Sequence, residues 1–247
     1  MQNNIKHQIM RNILFITAFF LLTISISAQN FKGEVSYSTK LNFTEENLRE
    51  MESKNDKATN AMRKVLANST DTEVIIKFNT THSSYKVVKK LEITDRKPLN
   101  MTYAIAGGEK VYFTELIHNK SSMQECKLLD ACFLVEQPLI EWELTQDSKI
   151  IGGYLCYKAI NSNSKNKRKK PVAWYAPQIS ASFGPKEYYG LPGLILELEE
   201  SAVTFRATKI ILNPKEEVVI EDMNGEKITK KEYQKKLKKS YGEFNEN

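Results

Sequence analysis

From Thr72 onward, apolar residues recur at every second position in short runs separated by turn-forming segments. A period of two puts alternate side chains on opposite faces of an extended chain, so it specifies strands with one buried face. Thr72 to Asn79 and Ser83 to Lys89 read as successive strands around Thr80-Thr81-His82. Asn100 to Ala106 and Lys110 to Leu116 flank Gly107-Gly108-Glu109. That arrangement predicts a hairpin, because glycine supplies the positive φ of tight turns. Further strands fit Met123 to Lys127, Cys132 to Glu136, Ile140 to Gln146, Tyr154 to Asn161 and Val172 to Ala176. Ahead of them, Phe31 to Leu41 alternates as a first strand.

Helical spacing occurs in two places. Thr44 precedes Glu45-Glu46-Asn47, an N-cap with acidic first-turn residues. Leu48, Met51, Ala58, Met62, Val65 and Leu66 follow, with a polar middle around Lys54 to Lys57, so one long helix is expected from Glu45 to Ala67. Near the end, Thr229 and Glu232 have capping-box spacing ahead of a short basic helix, Lys230 to Lys239. The expected fold class is α+β and β-dominated. It is a strongly curved antiparallel sheet, a half-barrel similar to that of periplasmic lipoprotein carriers, covered by the long N-terminal helix.

The first 28 or so residues read as a secretory signal peptide. Lys6 and Arg11 form a positive start, Ile13 to Ile26 is almost wholly apolar, and Ser27-Ala28 offers small residues for cleavage. The apolar run is shorter than the roughly 20 residues that span a bilayer. Residues 29–247 are then one β-rich domain, periplasmic or secreted, with no transmembrane anchor after cleavage. Formal charge is +6, of which Lys6 and Arg11 account for two, and export argues against nucleic acid as a partner. An exported chain meets an oxidising compartment, so a disulfide is expected among Cys126, Cys132 and Cys156, with the pairing open. No metal-ligand spacing such as CxxC or HxxxH is present.

The densest stretch of information runs from Phe183 to Leu198, FGPKEYYGLPGLILEL. Pro192-Gly193 suits the central positions of a type II turn. After it, Leu194, Leu196 and Leu198 fall on one face of a strand, and Ile195, Glu197 and Glu199 on the other, which predicts one dry face. Gly190 permits a second unusual backbone angle or a close approach of chain.

Gly190-Leu191-Pro192-Gly193-Leu194-Ile195 spells the signature of the GLPGLI family, exported proteins of Bacteroidetes, and the chain resembles that family in other elements too. Gly153-Tyr154-Leu155-Cys156-Tyr157-Lys158-Ala159 is similar to its Gly-Tyr-x-Cys-x-Lys-Ala element. Ala173-Trp174-Tyr175 and Gly184-Pro185 match two more in the same order. Where the family carries a Gly-Arg element before Ala-Trp-Tyr, this chain has the loop of Lys165, Lys167, Arg168, Lys169 and Lys170. The resemblance implies a compartment and a fold, and no reaction or cofactor. The loop itself reads as a solvated hairpin tip or as a contact for anionic lipid head groups or surface polysaccharide.

No GxSxG, HExxH, P-loop or GxGxxG context is present, and beyond the leader the only histidines are His82 and His118. The expected function is therefore non-enzymatic: binding of an apolar small molecule or lipid, or of an outer-membrane protein. Trp142, Trp174, Tyr188 and Tyr189 are the candidate lining residues. One alternative is a thiol-dependent enzyme or metal handler centred on Cys156, which shares a strand face with Lys158. Another is a structural partner of an outer-membrane transport or assembly complex.

Overall fold

The computed structural model describes residues 31–43, 45–52, 56–89, 100–127, 131–166 and 169–245. The expected leader and the Thr44 cap lie outside these residues. Twelve strands form one sheet. In chain order they are β1 (Gly33–Leu41), β2 (Thr72–Phe78), β3 (His82–Val87), β4 (Val111–Glu115), β5 (Lys120–Glu125) and β6 (Phe133–Glu136). β7 (Trp142–Ile151), β8 (Tyr154–Asn161), β9 (Val172–Ala176), β10 (Leu194–Glu199), β11 (Val203–Leu212) and β12 (Glu226–Thr229) follow.

Their order across the sheet is β12-β6-β5-β4-β3-β2-β1-β11-β10-β9-β8-β7, which leaves β12 and β7 as free edges and the sheet unclosed. Ten neighbouring pairs follow the expected antiparallel pattern. The eleventh, β12 with β6, is parallel, so the sheet is mixed. The chain leaves β11 at the middle of the sheet and returns to its far edge, where it runs in the same direction as β6.

One sheet face carries the core. Val35 and Tyr37 of β1, Val74, Ile76 and Phe78 of β2, Tyr85 of β3 and Phe205 of β11 are almost fully buried. Full burial of an aliphatic or aromatic side chain contributes about 1.5–3 kcal/mol, so this row is the main source of cohesion. Tyr37 donates its hydroxyl to the Ile195 carbonyl at 2.7 Å, which locks β1 against the start of β10.

The single long N-terminal helix is not supported among the described residues. Two helices stand in its place, α1 (Glu45–Glu52) and α2 (Asp56–Ala67). Residues 53–55, between them, lie outside the described residues. The predicted hairpin at Gly107-Gly108 is also corrected, because its first arm is helix α3 (Met101–Ala106). Asn100 caps it by accepting from the Tyr103 N–H at 3.2 Å, and Gly107 closes it. This helix packs on β1, β2 and β11, and its Ala106 carbonyl accepts from the Tyr85 hydroxyl.

At the C-terminus, α4 (Lys230–Asn245) is longer than expected. The capping box is reciprocal: Glu232 accepts from the Thr229 N–H at 2.8 Å, and the Thr229 hydroxyl oxygen accepts from the Glu232 N–H at 3.2 Å. Among the cysteines, Cys126 is bonded to Cys132 and Cys156 is free and buried.

Candidate functional site

The motif residues fall into two groups, one in the loop joining β9 to β10 and one on β8 and β9. The loop runs from 177 to 193 and lies against the core face. Ile179, Phe183 and Leu191 are buried, and Phe183 packs on Phe78 with ring centres 5.9 Å apart. Its backbone is tied to the start of β10 at two points. Leu194 donates to the Ile179 carbonyl at 3.2 Å and Ile195 to the Phe183 carbonyl at 2.9 Å.

The turn at Pro192-Gly193 differs from the type II form expected. The Gly193 N–H returns to the Leu191 carbonyl, two residues back, at 2.8 Å, and Leu194 has spent its own N–H on Ile179. Gly193 has φ +155° and passes so near Ala176 that a Cβ would overlap its carbonyl. A side chain is excluded there on both counts.

Inside this loop Lys186 and Glu187 make a polar centre. Lys186 holds a left-handed backbone, φ 56°, which is uncommon outside glycine. Its ammonium lies 2.8 Å and 3.1 Å from the two carboxylate oxygens of Glu200, and the Tyr188 hydroxyl donates to the same carboxylate at 2.9 Å. Burial works to lower the Lys186 pKa, but Glu200 and Glu187 outweigh it and hold it above the ordinary lysine value. The amine is therefore a permanent cation and a clamp for the loop, not a nucleophile. Glu187 Oε1 faces Lys230 Nζ at 3.9 Å, while its buried Oε2 has no hydrogen-bond partner among the described residues.

Of the four proposed lining aromatics, three meet here. Tyr188 and Tyr189 are buried, and Trp142 stacks obliquely on Tyr188 with ring centres 6.1 Å apart. Trp142 donates its indole N–H to the Tyr189 carbonyl at 2.8 Å, and Tyr189 donates to the Asn119 carbonyl at 2.8 Å. One loop thus touches both the β4–β5 turn and the edge strand β7. Tyr188 and Tyr189 fill the interior, and Trp142, half-buried on the edge strand, packs against Tyr188.

Trp174 lies on the opposite face. Cross-strand register places Lys158, Trp174, Glu197 and Arg206 in one row over β8, β9, β10 and β11. Glu197 is only 5% exposed, against the expectation of a solvated carboxylate and of a strand with a single dry face. Both faces of β10 are covered, because a bulge follows Ile195 and charged neighbours close over Glu197. Arg206 approaches its carboxylate at 2.9 Å and Lys149 pairs with the other oxygen. Lys149 also lies 4.0 Å from the Trp174 ring centre, a cation–π contact. Lys158 is tied to Asp147 at 2.8 Å, and Trp174 donates to Glu199 at 3.3 Å.

Cys156 sits beside Lys149 in register, beneath this row. Burial pushes its thiol up to about 11, an effect the nearby Lys149 only partly offsets. A protonated, covered thiol is a poor nucleophile and a poor metal ligand. Among the described residues no group of three or more His, Cys, Asp and Glu side chains is placed to hold a metal ion.

Sequence reasoning missed Lys149, Glu200 and Arg206. The signal it had was one glutamate at position 197 inside an otherwise apolar Leu-Ile-Leu-x-Leu strand. It missed a surface as well. Leu144, Ala159, Ala173, Leu198, Phe205 and Thr39 occupy one row of the core face across six strands. Five of them have no exposure, yet Leu144, on the edge strand, is 54% exposed. Farther along the β7–β8 ladder, Ile150 at 71% and Leu155 at 38% are paired with each other and open as well.

A family model described as a protein of unknown function (Porph_ging) matches residues 162–197, the stretch from the β8–β9 loop through the motif loop into β10. Solved structures of PNGF-II resemble the fold. In the C2 crystal form the TM-score is 0.53 at 14% identity, over 85% of this chain and 33% of that one. In the P21 form it is 0.55 at 14% identity, over 86% and 34%. The chain spans about a third of the length of those proteins. No curated protein matches it.

Proposed function

We propose that this chain is an exported cell-envelope protein of the GLPGLI type. In this reading it works by non-enzymatic binding of an apolar ligand or an outer-membrane partner. The observation that supports it is the uncovered end of the core face. A row that is dry over five strands emerges on β7 as exposed Leu144, and farther along the same β7–β8 ladder the pair Ile150 and Leu155 is exposed as well. Exposed apolar surface that continues a core mostly marks a place where something else docks. β7 is also a free sheet edge, with backbone groups available to a partner strand.

A half-barrel carrier of the lipoprotein-carrier type would hold its cargo on the core face. Here Phe183, Leu191 and Tyr188 occupy the middle of that face, so the binding surface is moved outward to β7–β8. The test is native mass spectrometry of the chain purified from its own envelope, against its denatured mass, alongside Ile150→Asp/Leu155→Asp. Extra native mass that the double variant loses is the expected result. Lipid-sized mass selects an apolar ligand, and protein-sized mass selects an envelope partner. Identical native and denatured masses for wild type, with unchanged elution from envelope extracts, would overturn the reading.

A further inference from the structure

We infer that Lys165, Lys169 and Lys170 of the β8–β9 loop, with Leu139 at the base of that loop, form a contact surface for an anionic lipid membrane. The inference is independent of the exposed β7–β8 face. Between Ser162 and Pro171 the sequence holds five cationic residues and no acidic one. Of these, Lys165, Lys169 and Lys170 lie within the described residues; all three are exposed and no described carboxylate pairs with them. Elsewhere the lysines of this sheet are commonly tied to carboxylates, as Lys149 is to Glu197, Lys158 to Asp147 and Lys186 to Glu200. Unpaired like charges repel one another at the cost of stability, so a cluster left without counter-ions suits an anionic partner.

The loop is held in place at its base. Asn161 donates to the Pro171 carbonyl at 2.9 Å, Ser162 to the Glu141 carbonyl at 2.8 Å, and Lys169 to the Asn166 side chain at 3.2 Å. The Asn163 side chain donates to the Leu139 carbonyl at 2.9 Å and accepts from the Glu141 N–H at 3.3 Å. This clamp fixes the Leu139 backbone next to the basic loop, and Leu139 is 51% exposed.

The apolar side chain selects the partner. Cations alone fit any polyanion. A leucine beside them gains only where an apolar phase lies behind the anionic charge, as it does under lipid head groups. An anionic surface potential favours each nearby lysine by about 1 kcal/mol, which is roughly fivefold in partitioning.

The test is sedimentation of the chain, as purified from the envelope, with vesicles of phosphatidylcholine alone or mixed with phosphatidylglycerol. Binding to the anionic vesicles only, reversed by salt, is expected. Lys165→Gln/Lys169→Gln/Lys170→Gln should weaken it on the order of 100-fold, three cations at the fivefold each of the surface-potential scale. Leu139→Ser should weaken it about tenfold through lost apolar insertion. Equal binding to both vesicle types, binding to neither, or binding indifferent to the triple variant would overturn the inference. Sensitivity to the lysines without sensitivity to Leu139, and equal competition by dextran sulfate, would replace it with a general polyanion site. Circular dichroism of each variant separates lost binding from lost fold.

Discussion

Gly193 passes the carbonyl oxygen of Ala176 so closely that a Cβ on the glycine would stand 2.3 Å from it. The contact joins the last residue of β9 to the glycine just ahead of β10, and it sets the entry of the Leu194–Glu199 strand. Gly190, three residues earlier, has φ +88° but open space around its Cβ position.

The two glycines should therefore separate in a denaturation experiment. Gly190→Ala meets only the backbone cost of a left-handed residue, about 1–2 kcal/mol. Gly193→Ala meets that cost and a backbone overlap that cannot be relieved by a rotamer, so about 3 kcal/mol or more is expected. Urea midpoints of the two variants check this. Equal losses would mean that the approach to Ala176 is not tight in solution.

Stability should fall steeply in alkali. Burial raises the phenol pKa of Tyr37, Tyr85, Tyr112 and Tyr188 above the ordinary 10.0. The folded chain then keeps protons that the unfolded chain releases above pH 10. The stabilisation is complete below that pH and is lost as pH rises past it. Lys186, held above its ordinary 10.5, acts in the same direction. Each such group adds about 1.4 kcal/mol per pH unit to the slope. Chemical denaturation between about pH 9 and pH 11 reads the slope, and Tyr188→Phe should flatten it by about one proton. A flat profile would contradict the burial of these phenols.

Cys156 should be inert in the native protein. With its thiol pushed up to about 11 and its side chain covered, little thiolate exists at neutral pH. Reaction with a small disulfide reagent at pH 8 should be at least about 100-fold slower than in denaturant, from the loss of thiolate alone. Rapid native labelling would restore the thiol-centred reading of this strand.

Several features were legible in the sequence because they act over a few residues. Alternation at Tyr154 to Asn161 and Val172 to Ala176 produced β8 and β9 within those bounds. Thr229 and Glu232 formed their reciprocal cap. Asn100 to Ala106 reads as a hairpin arm on the strength of the two glycines after it, yet a polar residue ahead of a mixed apolar run also serves a capped helix. The cover it provides over β1, β2 and β11 decided for the helix.

What the sequence determined by itself was local: where strands run, where turns need glycine, and which residues could pair with a near neighbour. Tertiary structure alone decided the faces. Trp142 and Trp174 are both half-buried aromatic strand residues, yet one packs on Tyr188 on the core face and the other lies under Lys149 on the opposite face. Glu197 became buried because residues 48 positions before it and nine after it, Lys149 and Arg206, arrive in register. A period of two says that a strand has two faces. Which face is covered depends on the order and register of strands distant in sequence, and on the loop that the chain later lays across them.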